Sequence, residues 1–136
     1  MRRIHAIATC LLGLALAACS SDKKDAEPDP NLVPTNYRQE IVDTLLKTLD
    51  DPTNIREAVI SEPELRVAGQ SQRYTVCVRF NARDISKRYT GPQDRIAYFF
   101  AGHLNQLVEA TPEQCGRAAY KPFPELEKLC LASKCS

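Results

Sequence analysis

The spacing of apolar residues takes three forms along the chain, and each marks a different kind of segment. Ala6 to Ala18 is an unbroken apolar run that ends in small residues and follows Met1-Arg2-Arg3. Tyr37, Ile41, Val42, Leu45, Leu46 and Leu49 then recur at the 3.6-residue interval of a helix, which lays one apolar stripe along it. From Ile55 the interval falls to two, the period of a strand. It is clearest over Gln72 to Arg83, where Tyr74, Val76, Val78 and Phe80 point one way and Arg73, Thr75, Cys77, Arg79, Asn81 and Arg83 the other.

Breakers and caps place the boundaries. The helix is expected to begin near Asn36, a residue whose side chain suits an N-cap, with Gln39 three positions on, and to stop at Asp50-Asp51-Pro52. Ile55 to Val67 reads as a first strand interrupted at Pro63, which lacks a backbone donor and so suggests an edge or a bulge. After a polar loop around Ser86 to Asp94, Arg95–Phe100 and Leu104–Ala110 flank Ala101-Gly102-His103 and predict a hairpin. The pattern predicts a single α+β domain over residues 36–136. In it one N-terminal amphipathic helix packs on a four-stranded antiparallel meander, and a disulfide-tied C-terminal segment follows. Small outer-membrane assembly lipoproteins and cystatin-like domains share that general plan, but fold analogy alone licenses no function.

The cysteines sharpen the picture. Cys10 lies in the first apolar run and Cys19 directly follows it, leaving Cys77, Cys115, Cys130 and Cys135 in the domain. Four thiols in a small exported domain pair by default, in three possible connectivities. Zinc is the competing reading, although no C-x2-C spacing is present. Cys130 and Cys135 are close enough for the cheapest loop closure, which favours Cys77 with Cys115, while the other pairings stay open. Because Cys77 falls on the polar side of its strand, the segment from Cys115 onward is expected to cross that outer face.

The first eighteen residues read as an export signal, since about thirteen apolar residues fall short of the roughly 17 needed to span a bilayer as a helix. Leu16-Ala17-Ala18-Cys19 resembles the lipobox of bacterial lipoproteins. That resemblance implies cleavage before Cys19, a diacylglyceryl group on its sulfur and acylation of the new amino group. Several acyl chains on one residue separate lasting anchorage from transient binding. Residues 19–35, rich in charge and proline, then read as a lipidated flexible tether. Ser20 and Ser21 follow the cysteine where an aspartate would imply retention. The resemblance therefore implies the periplasmic leaflet of the outer membrane, with the inner membrane as the alternative. The segments Tyr74–Arg83 and Tyr120–Leu126 are also similar to small uncharacterised lipoproteins of Gram-negative bacteria, a likeness that brings no activity with it.

Charge and chemistry then narrow the function classes. Without residues 1–18 the chain has sixteen Lys+Arg against seventeen Asp+Glu, a balance that gives no field to attract nucleic acid. His103 is the one histidine beyond the signal, at an expected exposed turn, so no multi-histidine metal site and no cofactor are expected. The carboxylate pairs Asp50-Asp51 and Glu62 with Glu64 flank prolines and read as element ends. No phosphate-loop, nucleophile-elbow, H-E-x-x-H or C-x-x-C motif occurs, and no catalytic residue is assigned. What remains is a local basic cluster of Arg73, Arg79, Arg83, Lys87 and Arg88, with Arg95 beyond it, able in principle to hold anions.

Two expectations follow. The favoured one is a non-catalytic envelope lipoprotein that binds a periplasmic or outer-membrane protein through a sheet edge or the 84–95 loop. The other is binding of anionic glycolipid or cell-wall polymer through the arginine face, or inhibition of an envelope hydrolase through that loop. Intact-mass measurement of the native protein is expected to give a chain beginning at an acylated Cys19. A chain still carrying residues 1–18 unmodified would remove the anchor and everything placed on it.

Overall fold

The structure is a computed structural model that describes residues 26–129. Residues 1–18, Cys19 with the first part of the expected tether, Cys130 and Cys135 lie outside the described residues. The helical stripe forms α1, Tyr37–Thr48. Asn36 occupies its N-cap position, but its side chain makes no capping bond, and the amide of Gln39 donates instead to Asp43 at 2.8 Å.

Six strands form one antiparallel sheet rather than four. They are β1 (Asp51–Ile60), β2 (Glu64–Ala68), β3 (Ser71–Arg83), β4 (Gln93–Phe100), β5 (His103–Glu109) and β6 (Lys121–Pro122). The sheet order is β5-β4-β3-β1-β6, with β2 pairing the beginning of β3. The expected first strand is thus two strands separated by residues 61–63, both lying along one side of the long β3. β1 starts earlier than its alternation suggested, at Asp51, and its register slips twice, with Asn54 and Glu57 at positive φ. Such bulges break period-two patterning.

Ile41, Val42 and Leu45 of α1 bury against Tyr74, Val76, Val78, Phe80 and Ala82 of β3 and Ala97 and Phe99 of β4. The opposite face of β3 is also dry in its middle. Thr75 and Cys77 are buried there, and Cys77 packs with Ile96, Cys115, Tyr98, Ala110, Ala118 and Tyr120. The cover is a strap over residues 111–120, which begins with α2 (Pro112–Cys115). Cys115 is bonded to Cys77, with Cα atoms 5.8 Å apart. The Gln114 side chain accepts from the Thr111 backbone N–H at 2.8 Å and donates to the Tyr98 hydroxyl at 3.0 Å.

The chain then rounds the edge of the sheet. β6 pairs with β1, and the backbone N–H of Phe123 donates to the Ala58 carbonyl at 2.9 Å. Phe123 and Leu126 of the last helix, α3 (Pro124–Glu127), are fully buried beside α1 on the inner face. A bidentate ion pair from Arg38 to Glu125, at 2.8 and 2.7 Å, holds α1 to this end. One C-terminal segment therefore covers the outer face, closes an edge and completes the inner core.

Replacing Cys77 and Cys115 together by serine removes a crosslink that encloses 38 residues of separation. Urea denaturation is expected to show a loss of roughly 3 to 4 kcal/mol on the chain-entropy account. A loss within error of zero would mean that packing alone holds the strap.

Candidate functional site

β3 and β4 are joined by residues 84–92, and most backbone N–H groups of this loop have a partner. The Asp84 N–H donates to the Arg88 carbonyl at 2.8 Å, and the Lys87 N–H to the Asp84 carbonyl at 2.9 Å. Asp84 Oδ1 accepts the Ser86 and Arg88 N–H groups at 2.8 and 3.1 Å, the local turn that a short carboxylate side chain makes with its own backbone. Further on, the Thr90 N–H reaches the Ala82 carbonyl at 3.2 Å and the Gly91 N–H reaches Asn81 Oδ1 at 3.1 Å. The Tyr89 hydroxyl donates to the Asn54 carbonyl at 2.7 Å, under the Arg56 guanidinium 4.2 Å from the ring centre.

Beneath the loop sits Asp51, with 3% of its side chain exposed. Its Oδ1 accepts the Thr53 hydroxyl and, at 3.0 Å, the Thr53 N–H. Its Oδ2 lies 2.8 Å from Arg83 Nη2 and 3.1 Å from Lys87 Nζ. Burial pushes this carboxyl up, but the Thr53 bonds, the Lys87 ammonium and the Arg83 charge outweigh it and hold it far below the usual carboxylate range. Asp51 thus ties the start of β1, the end of β3 and the loop together. The sequence presents it only as part of a helix stop; its role depends on a pairing 32 residues away, with Arg83.

The basic cluster is dispersed. Arg79 makes a bidentate pair with Asp94 at 2.8 and 2.9 Å, and its guanidinium lies 5.0 Å from the centre of the Tyr120 ring. The Arg79 guanidinium and the Tyr120 hydroxyl, at 2.9 Å, hold the Asp94 carboxyl below its ordinary value, while burial and then Asp94 push the Tyr120 phenol up. Arg83 and Lys87 belong to Asp51, and Arg88 lies 3.8 Å from Asp84. Arg73 stacks 5.2 Å from the centre of Phe100 at the other end of β3, about 33 Å from Arg83 at the rise of an extended strand. Arg95, opposite Val78, lies on the helix-covered face. Carboxylates therefore already occupy most of these cations.

The other singled-out residues have structural partners. His103 opens β5 exposed, its Nδ1 3.1 Å from Glu40 Oε1, and the other oxygen of Glu40 accepts the Leu104 N–H. Glu62 accepts the Tyr37 hydroxyl at 3.1 Å and Lys121 Nζ at 2.9 Å, and Glu64 pairs with Arg66 at 2.8 Å. Among the described residues no three His, Cys, Asp or Glu side chains are grouped to hold a metal ion, and no helix is long and apolar enough to cross a membrane.

Against this charge-paired base the loop displays one large apolar side chain. Ile85 is 79% exposed, flanked by residues whose backbone is tied down. Its position was visible in the sequence, but neither its exposure nor the rigidity of its support was. Fold and loop together define a domain that is mostly a six-stranded antiparallel sheet with a few short helices, tied by the Cys77–Cys115 disulfide and carrying an internally bonded surface loop. Comparison with protein-family models, curated proteins and solved structures returned no match.

Asp51→Asn is expected to cost on the order of 2 kcal/mol, because it leaves Arg83 and Lys87 without their buried counter-charge. The pH dependence has a fixed sign. A carboxyl held low in the folded state contributes stability above its unfolded value of about 4 and loses that contribution as pH falls below it. The difference in urea midpoint between wild type and Asp51→Asn is expected to be smaller near pH 3 than at neutral pH, and to close only as the pH falls through the much lower folded-state value. A difference that persisted unchanged at acid pH would mean that the carboxylate charge is not what holds the loop.

Proposed function

We propose that this protein is a lipid-anchored, non-catalytic envelope module that presents the 84–92 loop to a periplasmic or outer-membrane protein. The observation carrying this reading is Ile85, fully displayed on a loop whose backbone is already ordered. Preorganised segments lose little entropy on binding, and a single apolar anchor at the centre of a contact supplies a large share of its energy. Mobile loops rarely keep so many internal bonds, so the rigidity of this one fits recognition better than simple connection.

The lipobox resemblance supports the anchor at Cys19, and the Ser20-Ser21 pair supports the outer membrane over the inner. An anionic glycolipid or polymer reading through Arg79, Arg83, Lys87 and Arg88 has less support, because a ligand would have to displace Asp94, Asp51 and Asp84 from them. Inhibition of an envelope hydrolase would use the same loop and differ only in the identity of the partner.

A photoreactive residue placed at Arg88, exposed beside the loop tip, is expected to capture one defined envelope protein in cells. The additional change Ile85→Asp is expected to abolish that capture while the denaturation midpoint stays put, since Ile85 contributes nothing to the core. Capture that persisted in Ile85→Asp would overturn the assignment of this loop.

A further inference from the structure

The two ends of the domain differ in character. The β2–β3 turn at Gly69-Gln70 and the β4–β5 turn at Ala101-Gly102 lie at one end, since Ala68 pairs with Ser71 and Thr75 pairs with Tyr98. The polypeptide joins the domain at that same end. The Ala101 N–H donates to the Pro30 carbonyl at 3.2 Å, and a Cβ built on Gly102 would stand 3.3 Å from Leu32 Cδ2. Glu27, Pro28, Pro30, Arg73 and Phe100 line one cavity there.

Apolar side chains left in water concentrate at this end. Of the seven large exposed hydrophobic residues among those described, Leu32, Val33, Leu65, Val67 and Phe100 belong to it, and Val67 is 76% exposed. Scattered exposed apolar residues need no explanation, but a concentration beside uncharged turns marks a contact surface. Val67 to Gln72 and Phe100 to Gly102 carry no charge at all. Arg73 lies over Phe100, an aromatic ring with a cation above it, an arrangement suited to a boundary between hydrocarbon and headgroups.

We propose that this end rests on the lipid bilayer, with the β2–β3 tip, the β4–β5 turn and residues 30–33 against the boundary of headgroups and acyl chains. The inference rests on the anchored reading of Cys19. From Cys19 to Glu27 the chain advances eight residues, at most about 29 Å even fully extended. An acylated Cys19 therefore confines this surface to the neighbourhood of the membrane, where a high effective concentration lets a weak apolar contact persist. The surface is mixed in charge, with Glu27 and Arg73 lining the same cavity, so the contact is apolar and does not require anionic lipid.

The chain contains no tryptophan, so an introduced one reports alone. Val67→Trp and, at the far end, Ile85→Trp are prepared in the full lipidated protein. Each is reconstituted into phosphatidylethanolamine–phosphatidylglycerol vesicles with brominated acyl chains. Val67→Trp is expected to shift to shorter wavelength and lose intensity to bromine, whereas Ile85→Trp does neither. Equal, water-like emission from both overturns the proposal. A blue shift at Val67→Trp without bromine quenching also overturns it, and points to a second copy of the chain on this surface. The intact mass of the same sample separates the two readings. A sample without acyl chains sinks the anchor, and bromine quenching of Val67→Trp with vesicles in excess then decides the surface by itself.

Discussion

Everything in this fold depends on keeping both faces of β3 out of water. Val76 and Val78 on one side and Cys77 on the other are essentially inaccessible, although the domain is far too small for two full layers of helices. The inner side is covered by α1 in the usual manner of a helix stripe on a sheet. The outer side is covered by a strap of ten residues with little regular structure. Its attachment is covalent at Cys115 and is completed by Gln114 on Tyr98 and Tyr120 on Asp94. Since the same segment continues as β6 and α3, the crosslink that seals the outer face also delivers Phe123 and Leu126 to the inner one.

Electrostatics plays a separate role at the opposite end from the chain's point of attachment. One nearly inaccessible carboxylate, Asp51, gathers two cations and a threonine, and so fixes how β1, β3 and the following loop meet. Cations that look like a binding face in a linear reading are here mostly consumed by internal pairing. That pairing lowers the cost of bringing them close and leaves the loop's apolar tip as its distinguishing surface. Order in the loop and charge pairing at its base belong to the same arrangement.

Much of the fold could be read from spacing alone, because α1, β3 and the β4–β5 hairpin obey simple periods and carry their breakers where the chain turns. β1 could not be read in this way. Its two bulges, at Asn54 and Glu57, shift the buried positions to Ile55, Ala58 and Ile60 and erase alternation. β6 and α3 are too short to carry any period; Phe123 and Leu126 join the core through position rather than pattern. The capping motif expected at Asn36 fails there, while Gln114 serves the same purpose for Thr111, where the strap gives it a reason. Of the loop, length and polarity were legible; Asp51 was not, since a carboxylate beside proline ordinarily means only that a helix has ended. The cationic residues were legible by type, but their partners come from other strands and no local signal announces them.

The length of β3 has one more implication. Thirteen residues of extended chain run unbroken from the neutral hairpin tip to the base of the Ile85 loop, a distance of about 40 Å. Since the strand is clamped from both sides along its middle, it acts as a stiff ruler. Whatever engages the far loop is held at a set height above whatever supports the tip, and residues inserted into the leading segment would alter the reach of the module without changing that height.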